Sequence, residues 1–260
     1  MAKEQAVEKV QLAIQTMDMN EMQEMIADNL DAGVSIFDLP PIKVPAGEGA
    51  KMWSIPGLGE DICQETFQAV ILRAVNNRSY YPKSISETGG GEAPDCSSND
   101  GLTGSGNKDS GMPQDVPCKD CPNSQWLNDE KPKCQQSMFL YVLQIGSMLP
   151  NRLQIPVTSM SAFKKYKIQL TSAVGKSYKK VVTEFGLVKV KGTPDYYVAT
   201  FTGQDLLDKE GKDRVKLLTE KITPIFEYVP PKNQLAAGED QPAIPASYNE
   251  PPPSTNPFDD

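Results

Sequence analysis

The sequence predicts an α+β protein that is mainly β, and three features predict it. Runs such as "KMWSI", "FQAVILRAV" and "SMFLYVLQIG" are rich in β-branched and aromatic residues and have strand length. Proline and glycine break these runs at short intervals. Only three segments repeat apolar residues at the three-and-four spacing of a helix face. The chain divides accordingly into a helical segment 1–33, a main domain 34–229 with an insertion at about 85–135, and a tail 230–260.

Residues 3–30 read as the first helix, with Val7, Val10, Ile14 and Met17, then Met22, Met25, Ile26 and Leu30 in register. Its many methionines favour adaptable contacts, so it either docks on its own domain or mediates self-association or a partner contact. "IKVP", "KMWSI" and "FQAVILRAV" follow as strands, and "SMFLYVLQIG" is another. "PVTSMSAFKKYKIQLTSAVG" reads as a helix capped by Thr158 or Ser159 and ended near Gly175. "SYKKVVTEFGLVKVKGTPDYYVATFT" reads as two antiparallel strands around a "KGTPD" turn. A last helix is expected from roughly Gly203 to Tyr228, packing through Leu206, Leu207, Val215, Leu217, Leu218 and Ile222. The tail from Pro230 holds eight prolines in 31 residues and few large apolar groups, the composition of a disordered segment. Short strands, few helices and long loops suggest a small barrel like the five-stranded oligonucleotide-binding one, which offers one face and its loops to nucleic acid.

Four of the five cysteines fall between residues 94 and 134, as Cys96-x21-Cys118-x2-Cys121-x12-Cys134. A Cys-x-x-Cys turn aims two thiolates at one ion, and the polar, glycine-rich spacers let the other two fold back. Four thiolates suit one structural, tetrahedral Zn2+, which would order a loop with too little apolar content to order itself. An iron–sulfur cluster accepts the same four ligands, and a redox role for Cys118 and Cys121 is a third reading. Cys63 reads as a buried small hydrophobe outside this set.

The net charge of −8 argues at first against nucleic acid. Charge is segregated, however. Residues 152–191 carry nine cations against Glu184 alone, whereas the tail has only Lys232 against Glu239, Asp240, Glu250, Asp259 and Asp260. A field concentrated on one stretch, with aromatics interleaved, suits a single-strand binder that pairs phosphate contacts with base stacking. The candidates are Lys164, Lys165, Lys167, Lys179 and Lys180 for phosphates, and Tyr80, Tyr81, Trp126 and Tyr178 for stacking, with Arg78 beside them. Phe163 and Tyr166, three apart on a helix, read as core before platform. Alternation sends Tyr197 and Phe201 to one face of their strand and Tyr196 to the other.

Two resemblances point the same way. The ending "NEPPPSTNPFDD" resembles the acidic, phenylalanine-tipped tails of bacterial and phage single-stranded DNA-binding proteins, although Asp259 and Asp260 follow Phe258 where the bacterial tails close on Pro-Phe. In that family the tail recruits replication and repair proteins and competes with DNA, which would make Phe258, Asp259 and Asp260 the partner-binding tip. Across residues 35–202, the order "IKVP…WSIPG", "AVILRAV…YYP", "PDCSSNDG", "CKDCPNSQW…KC", "FLYVL" and "YYVATF" resembles a group of phage and integrative-element proteins. That resemblance implies a mobile-element protein of DNA metabolism, and some phage single-strand binders insert a zinc subdomain into such a barrel. The expected function is therefore sequence-independent binding of single-stranded DNA in replication or recombination. The alternative is a zinc-stabilised adaptor that binds a host replication or transcription protein and no nucleic acid. An enzyme is not expected, because the chain has no histidine, no Walker loop and no nucleophile motif. Without an apolar run long enough for a bilayer or a signal peptide's apolar block, the protein is expected in a cytoplasm, the host's if a phage encodes it.

Overall fold

The computed structural model describes residues 38–45, 51–57, 59–83, 87, 93–107, 110–145, 147, 149–192 and 195–227, together with Asn20, Glu24 and Asp28. The tail, with Phe258, Asp259 and Asp260, lies outside the described residues, and so does nearly all of the expected amino-terminal helix. Eleven strands and two long α-helices, with short helical turns between them, order the main part of the described chain. The strands are β1 (Pro41–Ile42), β2 (Trp53–Ile55), β3 (Ile62–Gln64), β4 (Phe67–Tyr80), β5 (Cys96–Ser98), β6 (Thr103–Gly106), β7 (Val116–Pro117), β8 (Gln135–Gln144), β9 (Asn151–Pro156), β10 (Val181–Val190) and β11 (Tyr196–Leu206). The helices are α1 (Val157–Gln169) and α2 (Lys209–Glu227). The protein is mainly β, as expected, and among the described residues no helix is long and apolar enough to cross a membrane.

β4 organises the large mixed sheet because both of its edges are used. β8 runs antiparallel along it from Ala69↔Gln144 to Ser79↔Gln135. On the other edge β10 pairs with Phe67–Val70, and β5 pairs with Arg78–Tyr80. β9 extends the sheet beyond β8, β1 lies parallel to β9, and β11 lies beyond β10. The run "AVIL" in β4 is continuous rather than alternating because both faces are covered there. Phe67, Ala69 and Ile71 face the main core, while Val70 and Leu72 join Leu143 and Val182 beneath Leu207, Val215 and Leu218.

The main core is aromatic. Phe67 stacks on Phe185 with ring centroids 4.6 Å apart, and Trp53 meets Phe67 edge-on at 5.3 Å. Phe201 links Phe185, at 5.5 Å, to Phe163 of α1, at 5.2 Å. Phe163, Tyr166 and Leu170 are buried at i, i+3 and i+7, the spacing of one helix face. Phe163 and Tyr166 are therefore core, and Tyr197, Ala199 and Phe201 share the buried side of β11, both as expected.

The expected barrel does not close. Among the described residues no ladder joins β9 to β11. α1 stands at that gap, packed on β8, β9 and β11. Ser159, expected as a helix cap, is fully buried and accepts the Ala199 N–H of β11 at 3.0 Å. Tyr166 Oη meets Thr183 Oγ1 of β10 at 2.7 Å. That bond occupies one edge N–H of β11 that a closing strand would otherwise use.

Three further expectations are corrected. α1 starts directly after Pro156, without a side-chain cap. Residues 202–206 do not open the last helix; they prolong β11 opposite β10, and α2 starts after Asp208, whose carboxylate accepts the Gly211 N–H at 2.7 Å. Cys63 is exposed, on a strand that pairs only with β2. Replacing Phe185 with Ala should destabilise the fold by about 3–5 kcal/mol in urea denaturation, since a large fully buried ring leaves a cavity. Val188→Ala, at a half-exposed position of the same strand, should shift it by no more than about 0.5 kcal/mol.

Candidate functional site

The cysteine segment is the connection between β4 and β8, so hairpin pairing holds its two ends side by side at Ser79↔Gln135. Within it, three short strands that the sequence did not announce build outward from β4. β5 places Cys96 opposite Tyr80, β6 places Gly106 opposite Cys96, and β7 places Val116 opposite Gly104. Asp100 fixes the β5–β6 turn by accepting the N–H groups of Leu102, at 2.7 Å, and Thr103, at 2.8 Å. These bonds to the ionised form, backbone ones first, hold its carboxyl below the usual carboxylate range.

From β7 the chain enters the Cys-x-x-Cys turn. Cys118 N–H donates to Leu102 O at 2.7 Å, and Cys121 N–H donates back to Cys118 O at 3.3 Å. Ser124 Oγ donates to Cys121 O at 3.0 Å and also reaches Cys118 O. Cys134 N–H donates to Asn123 O at 2.7 Å, which ties the turn to the start of β8. All four cysteines then line one cavity, with Arg78, Tyr80, Ser98, Gly104, Asn123 and Ser124 among its other walls. The fold-back expected from their spacing is present.

Gly104 lies beneath the thiols. A Cβ there would stand 3.2 Å from Cys96 Sγ and 3.6 Å from Cys118 Sγ, so the missing side chain is what lets the two sulfurs approach. All four are free thiols, and among the described residues no group of three or more Cys, Asp or Glu side chains forms a metal site. Burial pushes the Cys96 thiol up, and the Cys118 and Cys121 charges add to that. Cys134 is pushed up to about 11, mainly by burial, with Arg78 pulling the other way.

The candidate nucleic-acid residues separate into three places. Lys164 and Lys165 are exposed on α1, and Lys176, Lys179 and Lys180 are exposed just beyond it. Phe163 joins the two runs: the Lys167 ammonium lies 5.0 Å over its ring, and the Tyr178 ring packs on it at 5.7 Å. The chain can turn back so sharply because Gly175 takes the left-handed conformation, at φ +64°, that ends the helix. Among the described residues none of these six lysines pairs with a carboxylate. Tyr178 is half-buried against the core rather than open for stacking.

Arg78 and Tyr80 lie elsewhere, in the cysteine cavity, and Tyr81 is half-buried, its hydroxyl pushed up by burial. Trp126, on the insertion, is 63% exposed. Two cations counted in the basic stretch are also occupied: Arg152 is buried with its guanidinium 5.6 Å over Phe139, and Lys189 pairs with Asp195 at 2.9 Å. Spacing in the sequence carries no signal for Gly104 beneath the thiols or for Phe139 beneath Arg152.

Comparison with family models, with curated proteins and with solved structures finds no match.

The thiol environments are open to a direct test. With all five cysteines as free thiols, alkylation at pH 8 should label exposed Cys63 first and Cys134 far more slowly, since the thiolate is the nucleophile. The Cys134 rate should rise about tenfold for each pH unit until its pKa is reached, as thiolate population does. Pulse alkylation read by peptide mass spectrometry measures this order, and fast labelling of Cys134 at pH 8 would contradict the buried site.

Proposed function

We propose that the chain is a sequence-independent single-stranded DNA-binding protein of replication or recombination, of the phage type. In this reading a four-cysteine Zn2+ centre orders its insertion. One observation carries it: on a protein of net charge −8, six lysines of α1 and the segment just after it have no carboxylate partner among the described residues. Unneutralised cations gathered in one stretch of an acidic protein suit a polyanion, whose binding releases counterions.

The strand order supports an oligonucleotide-binding type of fold. β9-β8-β4-β10-β11 is a five-strand path open at one seam, counted along the chain as strands β4, β8, β9, β10 and β11. In such barrels the second and third strands and the loops 1–2 and 4–5 hold the nucleic acid. Here those are β8 and β9, the cysteine insertion and the connection from β10 to β11, with the six lysines beside them in the chain on α1 and the segment after it. Trp126 on the insertion is the open stacking platform, and the lysines track phosphates. The acidic tail is an intramolecular competitor and a partner-binding segment.

For the metal, the missing side chain at Gly104 leaves room for Cys96 Sγ and Cys118 Sγ beside it, and four thiolates are the donor set of structural zinc. Binding would draw Cys96, Cys118, Cys121 and Cys134 inward from the shared cavity. Metal analysis of the purified protein separates zinc from an iron–sulfur cluster, which would absorb in the visible.

A second reading rests on Leu102, Trp126 and Leu127, which are exposed apolar groups on the insertion and would equally suit an adaptor's protein contact. Fluorescence anisotropy with labelled single-stranded and duplex oligonucleotides decides between them. Single-strand binding that weakens with salt is expected; no binding to either form would sink the proposal in favour of the adaptor. The double substitution Lys179→Glu and Lys180→Glu should weaken binding to all single strands alike. It should also reduce the slope of log K against log salt by about 1.4, at about 0.7 per lost phosphate contact. Deleting residues 231–260 should tighten binding.

A further inference from the structure

Arg78 is the one charged residue in the wall of the cysteine cavity. Its place follows from register. On β4 it pairs with Ser98 of β5 on one side and with Gln136 of β8 on the other. Cys96 is two residues from Ser98, and Cys134 is two residues from Gln136. Cross-strand partners share a face, and residues two apart on a strand do too, so Arg78, Tyr80, Cys96 and Ser98 lie on one side of the sheet. The guanidinium thus sits between the strand that carries Cys96 and the strand that Cys134 leads into.

The side chain also has an unmet need. Its Nε is buried and has no hydrogen-bond partner. A buried guanidinium N–H left without an acceptor is costly, and native proteins rarely keep one without a use. The other walls of this cavity are thiols, hydroxyls, an amide, backbone and apolar groups, with no carboxylate among them. The hydroxyl, amide and backbone oxygens of the wall leave this Nε unpartnered, and the charged acceptor the cavity could offer is a thiolate sulfur, which accepts far better than a thiol.

We propose that Arg78 is a positioning residue of the four-cysteine centre, donating to a thiolate sulfur and offsetting the charge that four thiolates leave on a divalent ion. This rests on the zinc reading above. Four thiolates around Zn2+ carry a net charge of −2, and burying such a charge without a counter-ion is strongly unfavourable. Arg78 brings the local total to −1. It also lies close enough to oppose the upward push on the Cys134 thiol. Arg78 belongs, on this inference, to the metal's outer shell and not to the DNA surface.

The experiment uses the full chain as wild type, Arg78→Gln and Arg78→Lys. Each is loaded with Zn2+ and, separately, Co2+, and metal affinity is measured by competition with a chromophoric chelator. Loss of an outer-shell donor typically weakens metal affinity about 10–100-fold, and that loss is expected for Arg78→Gln. Arg78→Lys, which keeps the charge but loses the planar fork, should recover much of it. A donor on sulfur lowers the energy of its lone pair, so the sulfur-to-Co2+ charge-transfer band should move to longer wavelength in Arg78→Gln. Purely structural damage would not move that band. Equal affinity and an identical band in all three chains overturn the proposal, and so does an equal loss in both variants, which would assign Arg78 to packing. Should Arg78→Gln fail to fold, Arg78→Met takes its place, and undiminished affinity with an unshifted band in that variant overturns the proposal. A wild type that takes up neither metal is a different result: it removes the zinc reading and this inference with it.

Discussion

The pairing of β4 with β8 is the constraint on which the rest of the molecule depends. The lower part of β4, Phe67–Leu72, is buried on both faces and so holds the two cores together. Its upper part, Arg78–Tyr80, leaves the cores behind and becomes the base of the cysteine insertion. One continuous strand therefore carries packing energy at one end and chemistry at the other. The register shift between Ile71 and Arg73 separates these regimes. A bulge of this kind increases local twist and re-aims the strand beyond it.

What was legible in the sequence follows from how each element is stabilised. Elements held by side-chain burial announced themselves: the apolar run of β4, the alternation in β10 and β11, and the Phe163, Tyr166, Leu170 stripe of α1. Elements held by backbone pairing alone did not. "CSS", "TGSG" and "VP" have neither hydrophobic alternation nor β-branched enrichment, yet β5, β6 and β7 form because β4 offers an edge to template them. The exposed end of β11 is invisible for the same reason, since residues 202–206 keep their place through the ladder to β10. The open seam was hidden because it depends on one buried hydroxyl, Ser159, which as a sequence feature looks like a helix cap.

Charge behaves similarly. Counting nine cations between residues 152 and 191 treats them as equivalent, and the fold does not. Arg152 is buried, and burial lowers its pKa from the ordinary arginine value. Lys189 is paired with Asp195. The lysines of α1 and of the segment after it have no carboxylate partner among the described residues. Phe163 and Tyr178, between them in the chain, belong to or pack on the core. An unpaired surface lysine costs little on a solvated helix, so such a cluster is tolerated before any partner arrives.

The cysteine insertion was expected to lack order of its own, with metal standing in for a core. Closing a loop of about fifty residues carries an entropic cost that grows with its logarithm, and the β4–β8 hairpin brings the two ends of this one together. β5 then fixes Cys96 against Tyr80, and Cys134 directly precedes the first residue of β8. Two of the four thiols are thus positioned by sheet register. The remaining pair rides on a turn anchored by the Cys118 N–H to Leu102 and the Cys134 N–H to Asn123.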